Sequence, residues 1–200
     1  MTRPGWCARI AVASLMTLIC TDALAQPMPR LVPARDVDIV YRLEGAAVQQ
    51  IPGGAPDGVR LQWDAAGQRL RTQPIGAPVY AITDLRRRVA AVVFAAQSSI
   101  LELPLRGGDP QTLIAGADAR YIRRGNSHAL GQDCTEWSIT SRHLDVTGCV
   151  AADGVVLRAE GLFNGQPGSA VALSVVRGPI PLASFVPPPN FFRLPFGMPP

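Results

Sequence analysis

The stretch Cys134-Thr135-Glu136-Trp137-Ser138-Ile139-Thr140-Ser141-Arg142-His143-Leu144-Asp145-Val146-Thr147-Gly148-Cys149 decides the fold class. Thr135, Trp137 and Ile139 alternate on one face, Ser141-Arg142 reads as a turn, and Leu144 and Val146 return. A period of two over this length marks strands with one buried face. Folded about residues 141–142, the hairpin sets Cys134 opposite Cys149 and Trp137 opposite Val146, both from one register. The cysteines then share the more polar face with Glu136 and Thr147, while the apolar residues point the other way. Closing a loop of this length stabilises a fold by about 3 kcal/mol in the chain-entropy model. The spacing is far from Cys-x-x-Cys, which argues against a redox-active pair.

Outward from this hairpin the pattern repeats. Residues 36–44 alternate, with Val37, Ile39 and Tyr41 on one face and Asp38 and Arg42 on the other, Val40 being the exception. Val59, Leu61 and Trp63 point inward from the next strand, and Asp64-Ala65-Ala66-Gly67 turns into residues 68–72. Residues 79–83 and 89–96 predict further strands, although the alanines of the second suit a buried helix equally well. Residues 99–105 form a shorter strand, and 111–117 the one evident helical turn or two. Strands resume at 119–124, at 155–162 after Asp153-Gly154, and at 170–176 after Asn164-Gly165. Turns this short imply antiparallel neighbours and a mainly β fold.

The N-terminus states an address. Arg3 and Arg9 precede an apolar run over residues 10–20, and Ala23-Leu24-Ala25 has the small-x-small form of a signal peptidase site. The run is too short to span a bilayer, which needs roughly 20 residues. Acylation of Cys20 is an alternative, but bulky Ile19 stands where that route prefers a small residue. Export with cleavage after Ala25 is the expectation, with a bacterial style of signal and the periplasm as destination. Cys7 and Cys20 leave with that segment, so Cys134 and Cys149 are the whole mature thiol inventory, in an oxidising compartment where a disulfide is expected. Removing 25 residues from 200 leaves 175, enough for one domain with a substantial core.

Cleavage takes the formal charge from +4 to +3, and all 19 basic residues are Arg. Arg86-Arg87-Arg88 and Arg123-Arg124 are read as solvated turn and strand-edge charges, with headgroup or partner contact as the lesser reading and no nucleic-acid partner. The mature chain has no transmembrane segment. After a single β-rich domain at 26–186, a Pro- and Phe-rich tail follows at 187–200. Prolines from Pro179 onward exclude central strands and long helices, while Phe185, Phe191, Phe192 and Phe196 suggest an extended cover.

The order of these motifs is similar to that of known proteins. Asp36-Val37-Asp38-Ile39-Val40-Tyr41, Trp63-Asp64-Ala65-Ala66-Gly67-Gln68-Arg69-Leu70-Arg71 and Val79-Tyr80-Ala81-Ile82-Thr83-Asp84 come first. Asp133-Cys134-Thr135-Glu136-Trp137, then Gly148-Cys149-Val150-Ala151-Ala152-Asp153-Gly154-Val155-Val156-Leu157-Arg158, and finally Phe185-Val186-Pro187-Pro188 follow. This layout, over most of residues 36–190, resembles uncharacterised exported proteins of alphaproteobacteria and, more distantly, the lipoprotein-localisation-factor superfamily of periplasmic carriers. The resemblance implies a strongly curved antiparallel sheet forming an incomplete barrel, its concave side closed by a few helices or loops and able to hold acyl chains.

Chemistry-bearing motifs are scarce. His128 and His143 are loop or hairpin residues, too few for a metal centre beside oxidised cysteines. No serine has a nucleophile-elbow context, and Gly53-Gly54 and Gly107-Gly108 lack the Lys and following helix of a phosphate loop. The expectation is a non-catalytic protein without cofactor or metal, binding a lipid or lipoprotein ligand in envelope lipid handling. Val37, Ile39, Tyr41, Leu61 and Trp63 are the candidate walls of an apolar groove, against the alternative that they only form the core. The runner-up is an interaction module docking on an envelope protein through its tail or a sheet edge. An enzyme with an unrecognised site is the remaining, least favoured reading.

Overall fold

The computed structural model describes residues 28–49, 58–105 and 110–194. Residues 1–25, where an export signal was expected, Gly53-Gly54, Gly107-Gly108 and the last six residues of the tail lie outside them. The described residues form one open, curved sheet of 12 strands. Strand β1 (Val37–Gly45) lies in its middle. After a single turn of helix α1 (Ala46–Gln49), strands β2 (Gly58–Asp64), β3 (Arg69–Pro74), β4 (Val79–Asp84), β5 (Val89–Phe94) and β6 (Ser99–Pro104) step outward as an antiparallel meander. The chain then crosses through α2 (Pro110–Ala115) to the opposite edge. Strands β7 (Arg120–Ala129), β8 (Gln132–Thr140), β9 (Leu144–Val150), β10 (Val156–Phe163) and β11 (Gln166–Arg177) step back inward, and β11 closes on β1. The ambiguous alanine-rich segment is strand β5, because pairing on both sides satisfies a ladder that a short helix could not supply.

The hairpin register differs from the expected one. Ser141 N–H donates to Leu144 O at 2.7 Å and Ser141 Oγ accepts from Leu144 N–H at 3.2 Å, which centres the turn on Arg142-His143. Glu136, not Cys134, therefore faces Cys149, Gly148 faces Trp137, and Val146 faces Ile139. A shift of two leaves every side chain on its expected face. The Cys134–Cys149 disulfide is present, running diagonally across the pair with a Cα–Cα distance of 5.5 Å. Its face is less exposed than its polar neighbours imply, since both cysteines are buried in a cluster with Ala151, Val155 and Leu157.

Alternation separates an inner face, bearing Ile39, Tyr41 and Trp63, from an outer face, bearing Asp38, Gln62 and Arg71. On the β8–β9 side, the inner face is closed: Trp137, Ile139, Val146 and Val150 cluster with Leu31 and with Ala115 of α2. Pro110 opens α2, where a missing N–H costs nothing, and Gly116 ends it at φ +93°. On the β4–β6 side, the outer face is closed instead: Ala91, Val93 and Ile100 are buried with Tyr80 and with Phe191 of the tail. Phe185 is buried under the Arg69 guanidinium, 5.5 Å from its ring centre, within a 3-10 turn at Leu182–Phe185. The tail then adds a short edge strand, β12 (Phe192–Leu194), parallel to β6. The prolines do exclude a central strand, but an edge strand needs only one paired side.

Candidate functional site

Between the cover formed by Leu31 and α2 and the inner face of β1, β2 and β3 the molecule is hollow. A cavity of 490 Å³ lies there, open to solvent on one side. Of the five residues expected to wall a groove, Ile39, Tyr41, Leu61 and Trp63 line it. Val37 does not; it is wholly buried in the adjoining core, where β1 meets β2 and β11. Leu43, Val59 and Leu70, all only partly buried, extend the sheet-side wall, to which Thr83 of β4 and Ala170 of β11 also contribute. A finished core packs to near-crystalline density, so aliphatic side chains left half-exposed around a void of this size are unusual.

The opposite wall comes from segments that carry no periodic signal. Residues 31–33 run along the groove, held by three hydrogen bonds from different elements. Trp63 Nε1–H donates to Pro33 O at 2.9 Å, Leu31 N–H to Gln111 Oε1 at 3.3 Å, and Ala34 N–H to Asp153 O at 2.8 Å. Gly154 makes this approach possible: at φ +91° a Cβ there would stand 2.5 Å from Val32 O. Pro110 and Ile114 of α2 form the lip, and Ile114 is 49% exposed. Sequence reading missed residues 31–33 and α2 as walls, because their place follows from long-range contacts. Val59 and Leu70 carried a usable signal, since they sit on inward positions of paired strands.

The polar atoms of the two large aromatic residues in the wall are already satisfied. Tyr41 Oη–H donates to Val156 O at 2.7 Å, and burial pushes its ionisation far above the ordinary tyrosine range, so it is neutral. Trp63 Nε1 is engaged as described. The groove therefore presents hydrocarbon and aromatic surface with few free donors or acceptors, an arrangement that selects for apolar volume rather than for a hydrogen-bonding pattern.

Other expected sites are dispersed. His128 Nδ1 lies 3.0 Å from Asp133 in the β7–β8 hairpin, and His143 Nδ1 3.2 Å from Asn164. Among the described residues no group of three or more His, Cys, Asp or Glu could hold a metal ion. Arg86-Arg87-Arg88 lies between β4 and β5, and Arg123-Arg124 on the edge strand β7. No helix of the described residues is long and apolar enough to cross a membrane.

No protein-family model matches the chain. No curated protein matches it either. Among solved structures, an uncharacterised conserved protein from Thermus thermophilus shares the fold with a TM-score of 0.54 and 9% identity, covering 80% of this chain and 90% of that one. The MucA/MucB complex of Pseudomonas aeruginosa gives 0.47 at 17% identity, over 73% of this chain and 53% of the other. A LolA superfamily protein from Nitrosomonas europaea gives 0.35 at 13% identity, over 78% and 92%. The first likeness shows a shared fold, and the other two are likenesses of outline.

Proposed function

We propose that this is an exported, non-catalytic protein whose inner-face groove takes up the acyl chain of a lipid or lipidated protein in the cell envelope. The observation that carries the reading is the 490 Å³ cavity walled by Ile39, Tyr41, Leu61 and Trp63, with the Tyr41 and Trp63 polar atoms turned away to backbone carbonyls. The driving force is removal of methylenes from water, about 0.8 kcal/mol each, so that eight to ten of them supply about 6–8 kcal/mol, a dissociation constant near the micromolar range. The disulfide suits an oxidising compartment, and the signal-like N-terminus supports export.

Native mass spectrometry, with lipid extraction, on protein purified without detergent from its own envelope tests the proposal. The expected result is a stoichiometric, recurring acyl lipid. A clean apo mass, unchanged after envelope lipids are offered, overturns it.

A second reading, docking on an envelope protein, draws support from β7, which stands at the sheet edge with, among the described residues, only β8 as a strand neighbour. Its ten residues leave one row of backbone groups for an added strand. Cross-linking from β7 to a stable partner, with no lipid recovered, would favour it.

A further inference from the structure

The outer face carries a second hollow of different character. Beyond β11 the chain crosses the sheet through residues 178–184, and between this strap and β1, β2 and β3 lies a cavity of 610 Å³. Its floor is Asp38, Arg60, Gln62, Arg71 and Gln73. The pairings Asp38 with Gln62, Gln62 with Arg71, and Arg60 with Gln73 set these side by side on one face. Pro179, Ile180 and Pro181 supply an apolar wall.

The charges on this floor do not balance. Arg60 donates Nε–H to both Asp38 oxygens, at 2.9 and 3.1 Å, and Nη2–H to Oδ2 at 2.5 Å, and Gln62 Nε2–H adds a further bond to Oδ2 at 2.9 Å. Arg60 holds the Asp38 carboxyl below its ordinary 3.8, so both members are ionised at neutral pH and cancel. Arg71 has no carboxylate partner among the described residues. It stacks on the Tyr80 ring at 3.9 Å, donates Nη1–H to Ser184 O at 3.1 Å and Nη2–H to Gln73 Oε1 at 3.1 Å. A guanidinium has five donors, so these bonds fix its plane and leave donors over. A side chain retained only to tie down the strap would need the Ser184 bond, but not a cavity beside it.

We propose that this outer-face cavity binds the oxyanion of a small polar molecule, a phosphate ester or a carboxylate, with Arg71 as its charge partner, the two glutamines flanking it, and the carbon skeleton against Pro179 and Ile180. The proposal is independent of the inner groove, which opens on the other face of the same strands.

The test is calorimetric titration of the folded protein at low salt with glycerol 3-phosphate, with glycerate and with phosphatidylglycerol vesicles, alongside the Arg71 side-chain Nε–H resonance. We expect saturable binding that moves this resonance, is weakened at least tenfold by Arg71→Gln, and falls between the two in Arg71→Lys. Because Arg71→Gln could loosen the strap, Gln73→Glu serves as the second variant: it supplies Arg71 with an internal carboxylate and should abolish binding while thermal unfolding is kept. Binding of the soluble ester alone identifies a free metabolite, and binding of vesicles alone with the same Arg71 dependence identifies a headgroup. No saturable binding of any of the three, or binding unchanged in both Arg71→Gln and Gln73→Glu, overturns the proposal.

Discussion

At Leu61 a single side chain separates a cavity from a core. It lies on the inner face opposite Ile39 and is only partly buried. Leu61→Trp should fill the groove, abolish uptake of an environment-sensitive apolar dye and leave the unfolding temperature within a few degrees, whereas an already packed core would lose about 1–3 kcal/mol from the added bulk. Uptake of dye unchanged in this variant would count against the groove. Gly154 makes a complementary case. Gly154→Ala places a side chain on a left-handed backbone and drives a methyl into Val32 O, so about 2 kcal/mol of stability should be lost in denaturant unfolding, with residues 31–33 displaced from the groove wall. Asp64 is one of the carboxylates that contribute to acid behaviour. Burial raises its carboxyl, but the Gly67 N–H at 2.9 Å and the Arg69 guanidinium outweigh this and bring it below the ordinary 3.8. A depressed folded value means that its stabilisation is complete above the unfolded carboxylate range and is lost as pH falls below about 4. Asp64→Asn should therefore cost about 2 kcal/mol near neutral pH, and the gap from wild type should narrow at about pH 3 when denaturant midpoints are compared.

Elements show where local pattern was enough and where it was not. The hairpin's faces were legible because parity of side chains is set by the backbone pleat, whereas its register depended on one side chain, Ser141, whose hydroxyl caps the turn from within. Reduction of Cys134–Cys149, or its replacement by serines, removes a crosslink over a separation of 15 residues. The expected loss is about 3 kcal/mol, read as a lower denaturant midpoint with the strand content intact. The tail is an element of the sheet as well as a cover. Truncation after residue 186 removes β12 from the β6 edge and Phe191 from the cluster of Ala91, Val93 and Ile100. A truncated chain should show a lowered unfolding temperature and concentration-dependent association through the freed edge. A monomeric truncated chain of full stability would mean that the tail contributes nothing to the fold.

Over the whole molecule, two covers are placed on opposite faces of opposite halves of one sheet. Leu31 and α2 close the inner face beside β8 and β9, and the tail closes the outer face beside β4, β5 and β6. The hollows are what these covers leave behind: an apolar one on the inner face of β1–β3 and a polar one on their outer face. By itself the sequence determined most of the strands and turns, the inward residues of β1 and β2, and the cysteine pair, because period-two alternation and turn chemistry act between residues a few positions apart; it left β5 open between strand and helix and gave no sign of β12. It also named four of the groove's wall residues, without distinguishing a wall from a core, since both need the same apolar side chains. Only the tertiary structure decided that β1 sits mid-sheet between β2 and β11, that residues 31–33 and α2 stop short of filling the inner face, and that the tail lies on the outer one. Those outcomes depend on contacts between segments up to more than a hundred residues apart, such as Tyr41 with Val156 and Arg71 with Ser184, and no local pattern encodes which of two equally apolar surfaces a distant segment will cover.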